Sequence, residues 1–276
     1  MRLFDYTQAQ HFCAPLPAYQ QGVGQSLPTL YRGSASKTVR EGSQNFTIHR
    51  ISLLNNVERG ILFGVSQYRR ALEMFTPSNA AWSQVSLYYA SFFAANAILG
   101  MYGVWVGQGY SADVESGIPN HQAFQIHKKN LKGPSGYRGS HEVFWDLYYE
   151  GCTSFAPWVP TILTEAIEPV NNNRTWQITS RNGVNYDMAQ AFDASVLLKS
   201  NPRPKDLSEY GGSLGQQREV TEHILKLAVH FAKEFKVSSF PYEGLLAGDR
   251  PKVIRSLVTA PPPNLVTQSI LQQLFV

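Results

Sequence analysis

Cysteine is scarce in this chain: Cys13 and Cys152 are the only two among 276 residues. A secreted scaffold stapled by disulfides needs more, so the pair points to a reducing, cytoplasmic setting. Metal-ligand patterns are missing too. Glu142 follows His141, but no second histidine stands four residues after the first. His223 and His230 have no cysteine or carboxylate at ligand spacing, so no metal is expected. No glycine-rich loop has the phosphate-cradling spacing between a strand and a helix, and no bound cofactor is expected. Gly22-Val23-Gly24 and Gly211-Gly212 read as loop glycines. Ser34-Ala35-Ser36-Lys37 matches the Ser-x-x-Lys pattern of acylating enzymes, but its partner motifs are absent. Residues Met1 to Pro15 lack the apolar run of a signal peptide. The longest apolar stretch, Leu87 to Val106, is interrupted by Ser91, Asn96, Gly100 and Gly103. A membrane helix needs about 20 predominantly apolar residues. The tyrosines and asparagine of this stretch fit a buried core helix better, and no membrane role is expected.

What is present suits an ordinary globular protein. Hydrophobic residues make up 43% of the chain, enough for a sizeable core. The length allows one large domain or two small ones. A net charge of +4 permits an anionic partner such as RNA, DNA or a nucleotide without requiring one.

Residues 1–43 are rich in Gln, Pro, Gly and Ser and read as an irregular arm. Asn45 to Ile51 alternates in polarity and reads as a short strand. Leu54, Val57, Ile61, Val65, Tyr68, Leu72 and Phe75 then recur at helical spacing, with Arg59, Arg69 and Arg70 off the stripe. Pro77 ends that helix. Ser83 to Leu99 is apolar around most of its circumference and reads as a central helix, with Ala90, Ala94, Ala95 and Ala97 admitting close neighbours. Gly107 to Gly139 is largely irregular, with a short strand near Ala123 to His127. Ser140 is expected to cap a helix running to Tyr149. Thr161 to Ile167 reads as a short helix, and Asn171-Asn172-Asn173 breaks the chain. Tyr186 to Leu198 and Gln216 to Phe235 read as helices, the latter burying Val220, Ile224, Leu227 and Phe231. These patterns predict a mainly all-α protein with a helical domain over 44–200 and helical extensions over 201–276.

Three groups of side chains carry chemical potential. Arg181 to Asp187 places a planar cation, an amide, a phenol and a carboxylate within seven residues. Arg181 offers a fork for phosphate or carboxylate, Asn182 can hold a neighbouring group, and Tyr186 shares Arg181's side if the segment is helical. The loop holding Lys128, Lys129, Lys132 and Arg138, with Tyr137 and glycines, can follow a phosphate backbone. His141 heads a helix beside this loop and is the candidate proton-transfer group. Tyr88, Tyr89, Phe92 and Phe93 are read as core rather than as base-stacking residues.

Three of these blocks, in order, resemble the HEPN superfamily, the higher eukaryote and prokaryote nucleotide-binding domains. Ser83 to Leu99 resembles the family's Ser-x-x-x-Tyr-Tyr-Ala helix. Ser140-His141 to Tyr149 resembles the block in which a histidine heads an aromatic-rich helix. Arg181 to Asp187 resembles an Arg-x-x-x-x-Tyr-Asp variant of its polar motif. The resemblance implies a helical bundle, often a homodimer, and a link to RNA, nucleotides or prokaryotic stress and anti-phage defence. Ribonuclease members carry a histidine four to six residues beyond the arginine, where this chain has Tyr186. The expectation is therefore an RNA- or nucleotide-binding protein, possible endoribonuclease chemistry resting on Arg181, Tyr186 and His141. The alternative is a non-catalytic scaffold in a larger defence or toxin–antitoxin complex.

Overall fold

The computed structural model describes residues 5–14, 27–32, 38–74, 76–107, 110–115, 123–128, 132–133, 136–137, 139–187, 189, 191 and 212–237. Seven α-helices dominate these residues: α1 Tyr6–Cys13, α2 Leu27–Arg32, α3 Gln44–Glu73, α4 Ala80–Met101, α5 Ser140–Phe155, α6 Trp176–Tyr186 and α7 Gly212–Glu234. The chain is mainly helical, as its periodicity predicts. Among the described residues no helix is long and apolar enough to cross a membrane. The tail from Ser238, the stretch Asn201-Pro202-Arg203-Pro204 and most of the helix expected over Tyr186 to Leu198 lie outside the described residues.

The chain divides into two compact units. One comprises Met1–Gly60, Asn96–Val159 and His230–Ile254; the other comprises Ile61–Ala95, Pro160–Val229 and Arg255–Val276.

In the first unit, the described residues of the expected irregular arm include α1, α2 and strand β1 (Thr38–Arg40). Apolar Ala9, Phe12 and Cys13 on α1 and Leu27 and Tyr31 on α2 are buried. Each helix is too short to show its period among the surrounding polar residues. Tyr6 stacks on Trp158 with ring centroids 4.4 Å apart, and Cys13 Sγ donates to the Met101 carbonyl at 3.3 Å. Both cysteines are buried, and neither is in a disulfide.

Residues 45–51 form the start of α3 rather than a strand. The Ser43 hydroxyl accepts from the Phe46 amide at 3.3 Å, supplying the N-cap. Phe46, His49, Arg50, Leu53 and Val57 are all buried, which is helical spacing. Two polar residues occupy that face, so polarity alone read as alternation. Arg50 is held by the end of α1: its Nε donates to the Phe12 carbonyl at 2.5 Å, and its Nη2 to the His11 carbonyl at 3.0 Å and to that of Ala14. His49 is bonded through Nδ1 to the Tyr31 hydroxyl.

The stretch from Gly107 to Gly139 holds more strand than expected. Strands β1, β2 (Trp105–Val106), β3 (Tyr110–Glu115) and β4 (Ala123–Lys128) form an antiparallel sheet in the order β1-β4-β3-β2. A two-stranded ladder joins β5 (Lys132–Gly133) to β6 (Gly136–Tyr137). Helix α5 is capped by Gly139 rather than Ser140, with the Gly139 amide donating to the Glu142 carboxylate at 3.0 Å. Its Trp145, Tyr148, Tyr149 and Phe155 are buried.

In the second unit, α3, α4 and α7 pack through small residues. A Cβ on Gly64 would stand 2.9 Å from Leu225 Cδ2 and 3.2 Å from the Ala90 carbonyl. Ala90, Ala94 and Ala95 are fully buried, as their expected role in close approach requires. The Ser91 hydroxyl lies 2.8 Å from that of Thr221, tying α4 to α7. Gly64→Val should therefore lower the unfolding free energy by about 2 kcal/mol through overpacking. Urea titration of the variant checks this; an unchanged midpoint would show that the helices yield freely. Beyond α4, Thr161–Ala166 forms a 3-10 helix where a short helix is expected. Asn171 and Asn172 adopt positive φ, +52° and +57°, and so end the following turn, a conformation asparagine tolerates better than most residues.

Candidate functional site

Helix α6 carries the polar cluster. Its docking side is apolar and amide-rich: Trp176, Gln177, Ile178 and Val184 are buried. Gln84 on α4 donates to the Ser180 hydroxyl, and Gln217 on α7 donates from Nε2 to Gln177 Oε1 at 2.9 Å. Each such buried bond contributes about 1 kcal/mol net and leaves a costly orphan if one partner is removed. The bonds also fix the rotation of α6 about its axis, and hence where its remaining side chains point.

Arg181 follows Ser180 and is half-buried. Its guanidinium carbon lies 4.9 Å from the centroid of the Tyr88 ring, within cation–π range. Nε and Nη2 both donate to Asn182 Oδ1, at 3.1 and 2.7 Å. The cation thus lies over an aromatic ring and is pinned along one edge. Its Nη1 amino group has no hydrogen-bond partner among the described residues. A fork immobilised in this way loses little side-chain entropy when it meets an anion.

Tyr186 goes elsewhere. Residues up to Tyr186 form the end of α6, and Asp187 leads on to the helical residues Ala189 and Ala191, its carbonyl accepting from the Ala191 amide at 3.1 Å. Five residues along an α-helix turn about 140°, so Tyr186 does not share Arg181's side. It is 81% exposed. Asp187 closes the helix, its amide donating to the Gly183 carbonyl at 2.8 Å and its carboxylate accepting from the Ala189 amide at 2.9 Å.

His141 is half-buried in the first turn of α5, in the first unit, whereas Arg181 and Tyr186 belong to the second. Of the basic residues, Lys128 ends β4 opposite Tyr110, and Lys132 lies opposite Tyr137 in the β5–β6 ladder. Lys129 and Arg138 lie outside the described residues. No group of three or more His, Cys, Asp and Glu side chains suited to a metal occurs among the described residues. His223 pairs with Glu165 at 3.0 Å.

Two features escape a reading by composition. Tyr88 is fully buried, as expected of a core residue, yet its ring face is the platform for Arg181. Phe63, 56% exposed, is a large apolar side chain off the buried stripe of α3, and that off-stripe position was its only signal in the sequence. Compared with family models, curated proteins and solved structures, the chain matches none.

Proposed function

We propose that this protein is a HEPN-like helical protein that binds RNA or a nucleotide through phosphate contact at Arg181, without cleaving it there. The observation that carries the reading is the guanidinium laid on Tyr88 and held by Asn182, with Nη1 left for a ligand. Charge-assisted bonds of this kind are the strong ones, and a phosphate oxygen can accept from Nη1. Cleavage by general acid–base transfer needs a proton-transfer group within reach of the phosphate that Arg181 holds. Tyr186, which stands in the place of the ribonuclease histidine, turns off that side of the helix. The family resemblance supplies the setting we propose, a prokaryotic stress or defence system.

Fluorescence anisotropy with labelled single-stranded RNA tests the reading. Arg181→Ala should weaken binding at least about tenfold, the loss expected for charge-assisted bonds, and intact RNA should be recovered from wild type. Equal affinity in the two proteins removes Arg181 from the site. RNA cleavage lost in both Arg181→Ala and His141→Ala would restore the nuclease reading.

A second reading, a partner-binding scaffold, draws on Ile162, 80% exposed in the Thr161–Ala166 turn, and on Trp158, 51% exposed in the first unit. Mass photometry of freshly purified protein would show a homodimer or hetero-complex if either side chain is a contact.

A further inference from the structure

We infer that the ligand at Arg181 is a single-stranded RNA several nucleotides long rather than a mononucleotide, its bases stacking along an aromatic track on α4 and α3. The inference rests on the reading of Arg181 as a phosphate contact. From Tyr88, under the guanidinium, the rings continue without a break. Tyr88 and Tyr89 have centroids 5.3 Å apart, Tyr89 and Phe93 6.3 Å, and Phe93 and Phe63 5.8 Å. All lie in the second unit. Exposure rises along the path: Tyr88 is fully buried, Tyr89 and Phe93 are half-buried, and Phe63 is 56% exposed. Trp82, 64% exposed, lies two helical turns before Tyr89 on the same face of α4, because residues seven apart nearly eclipse. Globular proteins seldom leave a run of large aromatic rings at the surface without a use for it.

The charges choose the occupant. Helix α4 carries no charged residue over its whole length, and Arg181 is the only charged residue of α6. On α3, Arg70 is exposed and lies seven residues beyond Phe63, on the same face. It has no side-chain partner among the described residues. The nearby carboxylate, Glu73, is bonded to Arg69 at 3.0 Å. The track is therefore bounded by one cation at Arg181 and another at Arg70, with no unpaired carboxylate of α3, α4 or α6 in the second unit to repel phosphate. Aromatic rings with flanking arginines are the chemistry by which proteins hold single strands, since every base has a face to stack.

The test uses the full-length protein with fluorescent ssRNA of ten nucleotides and of two. Wild type should bind the decamer more tightly than the dinucleotide. Phe63→Ala should weaken the decamer about tenfold, the scale of one lost stacking contact, and leave the dinucleotide unchanged. Arg70→Ala should lower the salt slope of decamer binding by about one ion. Both side chains are exposed, and circular dichroism confirms that the variants fold. If Arg181→Ala weakens both ligands while Phe63→Ala and Arg70→Ala bind the decamer as wild type does, the track is overturned and the Arg181 site stands. If Phe63→Ala changes only the oligomeric state seen by mass photometry, the face is a protein contact and the inference is wrong. If wild type binds neither ligand, the proposed function itself fails.

Discussion

Replacing Arg50 with alanine should lower the unfolding free energy by about 3 kcal/mol. A hydrogen bond to a charged group contributes roughly 1.5–3 kcal/mol, and Arg50 makes three, to the carbonyls of His11, Phe12 and Ala14. Those carbonyls belong to the last turn of α1 and its cap, and that of His11 also accepts from the Ala14 amide at 3.2 Å; a helix end leaves carbonyls for a side chain to satisfy. The side chain is 7% exposed, so water replaces it poorly. Arg50→Lys should recover only part of the loss, because an ammonium on a flexible stem cannot span three acceptors as a planar fork does. Thermal melts should rank wild type above lysine and lysine above alanine. Limited proteolysis adds a local readout, since α1 should become cleavable in the alanine variant before the rest of the chain. Equal melting temperatures for wild type and alanine would show that α1 is held by its other contacts, the Phe12 and Cys13 burial and the Tyr6 stack among them.

The second large effect is acid sensitivity set by His49. Burial disfavours its charged form and pushes its pKa down to about 3, a backbone bond with Gly103 acting weakly the other way. The unfolded value is about 6.5. Between these two values the unfolded chain binds the proton and the folded chain does not. Stability from this group is therefore complete above about pH 6.5 and is lost as pH falls toward 3. The loss is roughly 1.4 kcal/mol per pH unit across that window. An imidazolium can only donate, so protonation also changes the bond between the ring and the Tyr31 hydroxyl, the polar tie of α2 to α3. His49→Gln keeps an acceptor and does not titrate. Urea midpoints between pH 7 and pH 4 should fall more steeply for wild type than for this variant; parallel slopes would mean that other groups govern acid unfolding.

His49 and Arg50 also show where the sequence could and could not be read. Helices α4 and α7 were legible because their buried positions hold apolar residues at helical spacing. The first turns of α3 were not, because a polar pair fills that face, and only α1 and α2 explain why it is tolerated. Helix α5 was legible, but its cap was displaced by one residue, since Glu142 rather than Ser140 supplies the acceptor. The site was half legible. Arg181, Asn182 and Tyr186 stood out as a polar cluster, yet whether Arg181 and Tyr186 cooperate depends on helix phase. Gly183 left the phase open until Trp176, Gln177 and Val184 were seen to anchor α6. The platform beneath Arg181 is a tertiary contact with a residue far away in sequence, and no local pattern announces it.

The chargeless surface of α4 has a consequence in time. Ser91 finds Thr221 across a sequence separation of 130 residues, and on a translating ribosome that stretch takes roughly ten seconds to appear at ordinary elongation rates. During that interval the nascent chain carries a helix too greasy for solvent whose covering helix has not yet been made. Synthesis thus leaves α4 without α7 for that interval, when exposed apolar surface favours aggregation.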